Sequence, residues 1–321
     1  MVYYVYLEPD VFAAAGRNSP YGIQALIAAL RGFLQNCCVM EFDDSRIQHS
    51  IGEKVKTIIQ PHDHKTITTL LNTLAKRNRF VYCLSPDYTD KKTDRQCMFE
   101  QASTALIDMA LLESKPTAKI ASVADLQIAT LEDYQNTYFE MERAKISSEG
   151  RICVPGQMAN GEFLDGNFKK AFRHASKITV CDRVFGEHFK DNFKYTALEI
   201  IRWIGNVLND AAAAKLCFHC GEPRECTQQY MQDEIRAARD SAVPDLMIAI
   251  QFYADDISHQ LLPHDRFIMT DQFCFSIGRG LDFLDRSTGR NRDVSLSIIS
   301  QDECQKVLDC YAPKRTAEVV L

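Results

Sequence analysis

The chain has 321 residues, 46% apolar and 25% charged, with a formal net charge of −6. That length suits two domains of ordinary size, each able to bury its own core, and the composition excludes a disordered or fibrous chain. The acidic balance excludes a global attraction to nucleic acid or anionic lipid, so such binding has to come from a local basic patch.

Val2–Leu7 is β-branched and aromatic and closes at Pro9-Asp10, which predicts a strand. From Pro20, apolar positions Ile23, Leu26, Ile27, Leu30 and Phe33 recur at helical spacing to about Asn36. Cys37–Phe42 reads as a strand, followed by helices at about Ser50–Ile59 and Lys65–Ala75, and Phe80–Leu84 as a third strand. A long helix is expected over Asp94–Leu112, a strand at Lys119–Ser122, and an acidic amphipathic helix over Asp125–Ala144 that would suit a partner surface. Strands alternating with helices imply a mainly parallel sheet, so residues 1–146 are expected to form an α/β domain.

Ser147–Gly166 is rich in Gly, Ser and Pro, and with Asn167–His174 it predicts a linker over 147–174. Residues 175–321 then read as a second α/β domain. Its expected elements are the strand Lys177–Cys181, the helix Phe193–Leu208, the strand Lys215–Glu222, the helix Thr227–Ala238 and the strand Leu246–Phe252.

The stretch richest in chemistry is LLPHDRFIMTDQFCFSIGRGLDFLD, from Leu261 to Asp285. His264, Arg266 and Asp271 follow a His-x-Lys-x4-Asp spacing with arginine in place of lysine, and Gly278 and Gly280 follow closely. This pattern resembles the phosphate-handling signature of the phospholipase D superfamily. The wording HDRFI…FSIGRGLDFLD, with KITVCDRVFGEHFKDNFKYTALEIIRWI upstream, is similar to the C-terminal phospholipase D-like domain of the MIT-domain proteins that bind ESCRT-III. The resemblance covers Ala175 to Pro313. It implies a phospholipase D-like α/β fold, and it extends to bacterial domains, some suspected of roles in phage defence.

The resemblance implies His264 as the nucleophile for phosphorus or as the acid for the leaving group. Arg266, two residues on and on the same strand face, would hold the phosphate in a two-pronged hydrogen bond. Asp271 would orient the imidazole. With one motif per chain, catalysis requires a homodimer that brings two copies of His264 to one phosphate. Arg279 between Gly278 and Gly280, with Arg286, Arg290 and Arg292, could form a basic rim on a nucleic acid or other phosphodiester. Arg183 and His188, after the strand Lys177–Cys181, sit where parallel sheets bind ligands. The expected activity is a metal-independent phosphodiesterase or nuclease, with no cofactor, acting as an antiviral effector with an operon partner. The alternative is an interaction module that uses the same pocket to bind phosphate or a protein without turnover.

Other signals are weaker. Cys217-x2-Cys220 with His219 and Cys226 lacks the second ligand pair of a structural zinc site, so no metal is expected. YLEPDVF resembles the opening of PIN-type nucleases, with Glu8, Asp10, Glu41, Asp43 and Asp44 as candidate acids; such acids also serve as helix caps and turn formers. The twelve cysteines, among them Cys37, Cys38, Cys83, Cys181 and Cys274, are expected as reduced buried thiols. No run reaches the ~20 apolar residues of a membrane span, and MVYYVYLEPD lacks a signal-peptide n-region, so a cytoplasmic location is expected.

Overall fold

A computed structural model describes residues 2–17, 19–42, 46–58, 60–82, 94–116, 125–154, 160–254, 263, 265–278, 284 and 293–321. Its chain divides into two compact units, Met1–Glu149 and Gly150–Leu321. No helix among the described residues is long and apolar enough to cross a membrane.

Both units are α/β. In the first, β1 (Tyr3–Leu7), α1 (Asp10–Arg17), α2 (Ser19–Asn36), β2 (Cys37–Glu41), α3 (Arg46–Val55), α4 (Pro61–Lys76) and β3 (Phe80–Tyr82) follow in turn. They are followed by α5 (Asp94–Gln101), β4 (Met109–Leu111), β5 (Gln127–Ala129) and α6 (Tyr138–Glu149). The five strands pair in parallel in the order β3-β2-β1-β4-β5. A parallel sheet buried on both faces needs near-continuous apolar strands, and every residue of β2 is buried.

Two expectations fail in this unit. The helix expected over Asp94–Leu112 stops at Gln101. Leu106 takes a left-handed φ of 60°, and Ile107 N–H closes the turn on Ala102 O at 2.9 Å. The apolar run beyond is β4, fully buried beside β1, and periodicity alone cannot tell a short buried strand from a helix. The acidic helix expected over Asp125–Ala144 is instead β5, a 3-10 turn at Tyr134–Asn136, and α6. There the Asp133 carboxylate takes the Thr130 N–H at 2.7 Å, and Thr137 Oγ1 takes the Glu140 N–H at 3.1 Å, each drawing the chain out of a continuous helix. Pro9-Asp10 does not only end β1 but opens α1, as proline and an acid in a first turn can. The strand expected at Lys119–Ser122 lies outside the described residues.

The second unit begins earlier than expected, because the described residues of the segment read as a linker include a strand and a helix. β6 (Ile152–Val154) joins the sheet, and α7 (Asn160–Phe172) buries Phe163, Phe168 and Phe172. Gly161 and Gly166 suggested a loop, yet both sit where an added Cβ would meet nothing within 4 Å, so they are simply tolerated on a helix surface. Next come β7 (Lys177–Cys181), α8 (Arg183–Glu187), a π-helical turn at Phe189–Phe193, α9 (Lys194–Val207), β8 (Lys215–Gly221), α10 (Gln228–Ala242) and β9 (Met247–Tyr253). The chain closes with β10 (Phe267–Thr270), β11 (Cys274–Ile277), β12 (Val294–Ile299), α11 (Gln301–Tyr311) and β13 (Arg315–Val320).

The eight strands run in the order β13-β9-β8-β7-β10-β11-β12-β6. β7, β8 and β9 are parallel, and the flanking pairs are antiparallel. Side chains alternate between the two faces. Phe218 and Phe275 meet α8 and α7 through Phe185 and Phe168, while Cys181, Tyr253, Phe267 and Met269 cluster with Cys304 and Tyr311 of α11. α11 starts in a capping box, Ser300 with Glu303, the kind of cap that stabilises a helix by about 1 kcal/mol. Its Gln301 Nε2 donates to Thr270 O at 3.0 Å, and a disulfide joins Cys304 to Cys274. That bond corrects the expectation of reduced thiols at Cys274. Two cysteines 30 residues apart become neighbours because α11 packs across the β10–β11 hairpin, which cysteine spacing does not reveal.

Candidate functional site

The carboxyl edge of β7 and β8 carries a cluster of paired charges. Asp182 follows β7 and is 1% exposed. Its carboxylate accepts the Val184 N–H at 3.0 Å as the N-cap of α8, and its own N–H donates to His219 O at 3.1 Å. β10 runs antiparallel to β7 with Phe267 beside Cys181, which brings Arg266 across from Asp182. The Arg266 Nε stands 3.5 Å from Asp182 Oδ1, with side-chain exposures of 27% and 0%. The Arg266 carbonyl accepts from Ile277 N–H at 2.9 Å, so backbone pairing fixes the root of the side chain.

α8 is pressed against the end of β8. A Cβ on Gly186 would fall 1.8 Å from Gly221 O, so only glycine permits the approach. Phe185 stacks on Phe218 at 5.2 Å and sets the rotation of α8. Glu187 is thereby buried between Arg183, at 3.9 Å, and Arg224, at 3.4 Å. His188, the C-cap of α8, pairs through Nδ1 with Glu225. From below, Tyr311 of α11 donates its hydroxyl to Pro263 O at 2.9 Å, one residue before His264 in sequence. Burial, then Cys181 and Asp182, push the Tyr311 phenol far above its ordinary range, so this donor keeps its proton.

No family model matches the chain, and no curated protein matches it. The site is therefore read from its own geometry.

Of the residues nominated by sequence, Arg266, Arg183 and His188 gather at this edge. Gly278 ends β11 nearby in the ladder, its N–H on Ser295 O at 2.9 Å. Asp271 does not join them. It lies beyond the opposite end of β10, five residues or about 16 Å along the strand from Arg266, and an odd offset turns it to the other face. There its Oδ2 takes the Ser176 hydroxyl at 2.9 Å and its N–H donates to Lys177 O at 3.1 Å. Asp271 thus anchors the start of β7; the role expected for it, on the His264 imidazole, involves a residue outside the described ones. His264, Arg279, Gly280, Arg286, Arg290 and Arg292 lie outside the described residues.

Glu187 and Tyr311 were missed by the sequence reading. The only signal for Glu187 was an acid four residues after Arg183, and an aromatic in a half-apolar helix gave none for Tyr311. The Cys217–Cys220 pair lies on β8, with the two thiols on opposite faces. Among the described residues, no three His, Cys, Asp or Glu side chains group as metal ligands. In the first unit, Glu8 is buried and accepts the Glu113 N–H at 2.6 Å, with Arg95 3.5 Å away; burial raises its carboxyl. Asp10 pairs with Lys54 at 2.5 Å. Asp43 and Asp44 lie outside the described residues.

Proposed function

We propose that the second unit handles a phosphodiester at this edge by phospholipase D-type chemistry, as a metal-independent phosphodiesterase or nuclease. The observation that supports it most is the partly exposed Arg266 guanidinium, whose Nε stands in ionic contact, at 3.5 Å, with the buried Asp182 carboxylate at the end of a parallel strand. An arginine held from behind retains its outer nitrogens for a two-pronged hold on phosphate oxygens. A ring nitrogen of His264 would attack phosphorus, forming an N–P bond as the bond to the leaving oxygen breaks. The His264 of a second copy would give that oxygen its proton. Water, deprotonated by the same second histidine, would then attack phosphorus and release the first. With one motif per chain the active form is a homodimer. The resemblance to domains suspected in phage defence makes an antiviral effector in the cytoplasm, with an operon partner, the biological setting of this reading.

A second reading, a module that binds phosphate or a protein without turnover, is favoured by one observation. Asp182 offsets much of the Arg266 charge, and Arg183, Arg224 and His188 also face acids. The two separate in one assay: cleavage of single- and double-stranded DNA and RNA, with EDTA, by the parent and by His264→Ala. EDTA-resistant cleavage lost in the variant is expected of the phosphodiesterase. Binding without cleavage supports the module. Cleavage abolished by EDTA and retained in the variant sinks both and moves the chemistry to other residues.

A further inference from the structure

On the opposite face of the same sheet, beside α11, lies a cavity of about 310 Å³, the small end of the range for ligand pockets. Its floor is made by residues of three parallel strands, Thr179 of β7, Cys217 and His219 of β8 and Tyr253 of β9, and the exposed Lys177 of β7 also lines it. Lys215 opens β8 beside Lys177, in direct register.

Three observations converge here. First, the Thr179 hydroxyl is a buried polar group without a hydrogen-bond partner: the residue is 1% exposed, and it is one of those that line the cavity. Such a group costs roughly 1–3 kcal/mol until something bonds to it. Second, the polar floor is neutral. Tyr253 O–H donates to Gln251 Oε1 at 2.5 Å, so it accepts from His219 Nδ1–H at 2.7 Å. That leaves His219 Nε2 to accept from the Cys217 thiol at 3.3 Å. Burial and the nearby Lys177, Arg315 and Lys215 hold the imidazole down at about 4, and burial holds the Cys217 thiol up at about 11.

Third, Lys177 and Lys215 stand on adjacent strands, where like charges repel, and neither ammonium has a carboxylate partner among the described residues. Asp271 is close to Lys177 in the ladder but bonds to Ser176 instead. Arg315 pairs with Glu318 at 2.9 Å, and Asp309, on the helical wall, is held by Gln305 at 2.8 Å. A neutral floor, an unsatisfied hydroxyl, and Lys177, Lys215 and Arg315 against the single lining acid Asp309 describe a receptor for negative charge.

We infer that this cavity binds a small oxyanion, the phosphate or carboxylate group of a metabolite, with Lys177 and Lys215 on its charge and the Thr179 hydroxyl on one oxygen. The site is independent of the edge at Arg266, which lies on the other face.

The test measures the thermal midpoint of the full chain titrated with sodium phosphate and, separately, with sodium malonate, each against sodium chloride at matched ionic strength. At least one probe raises the midpoint above chloride; phosphate alone points to a phosphate ester, malonate alone to a carboxylate. In Lys177→Gln/Lys215→Gln the apparent affinity falls by about tenfold or more, since two charge-assisted contacts are lost. In Thr179→Val it falls by about three- to tenfold. No rise with either probe overturns the inference, as does a rise unchanged in the lysine variant. A rise lost in Arg266→Lys but kept in the lysine variant assigns binding to the edge and overturns it too. Because both lysines are at the cavity mouth and repel one another, their replacement keeps the fold, and Thr179→Val provides a second readout at a single near-isosteric site.

Discussion

At the carboxyl edge of the second sheet, Asp182 meets Arg266, and Glu187 sits between Arg183 and Arg224. On the α11 face, Lys177 and Lys215 stand side by side without an ion-pair partner among the described residues, over a floor of neutral hydrogen bonds. The first arrangement is paired in the absence of any ligand, and of its charges the partly exposed outer face of Arg266 is left to meet one. The second is incomplete and gains by taking something in. Electrostatic pairing separates groups that stabilise a fold from groups available to a ligand, and the two regions differ on that axis more than in composition.

The sharpest way to break the contrast is Arg266→Ala. It takes the Arg266 charge away from the buried Asp182 carboxylate, and stability to urea is expected to fall by about 3–5 kcal/mol, with Arg266→Lys recovering part of it. Next is the bond that holds α11 in place. Cys304→Ser is expected to cost about 3–4 kcal/mol, following the loop of 30 residues that the disulfide closes. Alkylation of the unfolded chain should likewise modify two fewer thiols before reduction than after.

Acid acts on the neutral floor. His219 is held at about 4, and so is His174, which burial and Arg173 depress. In the unfolded chain both titrate near 6.5, so between about pH 6.5 and 4 the unfolded state binds more protons. Stability therefore falls as pH falls through that window, by up to about 1.4 kcal/mol per pH unit for each histidine. His219→Gln should flatten the slope of stability against pH relative to the parent; an unchanged slope would mean that its imidazole is not held neutral. The smallest effect is expected at Thr179→Val. Removing a hydroxyl that has no partner should raise stability, by about 1 kcal/mol, in the absence of ligand.

Much of the second unit was legible in the sequence. Lys177–Cys181 is the strand expected, to the residue, and the expected bounds of the next helix and strands hold to within one or two positions. Apolar runs bounded by turn residues carry that information locally. The failures share a cause: Met109–Leu111 and Gln127–Ala129 are strands only because β1 and β4 lie beside them, a condition no local window contains. At the edge, the i, i+2 spacing identified Arg266, but Asp271 was grouped with it by motif spacing, although a five-residue offset along a strand separates two groups in both distance and face. The cavity left a trace that went unread as such. In KLCFHCG every second residue from Lys215 to His219 is polar or reactive, an unusual content for a strand whose other residues are buried.

The bond from Tyr311 to Pro263 has a kinetic side. α11 both walls the cavity and, through that hydroxyl, holds the residue before His264. A fluctuation that lifts this one helix would release both regions together, so their opening rates are not independent. Amide hydrogen exchange along α11 would then read out a shared clock, slowed by the Cys274–Cys304 crosslink and quickened on its reduction.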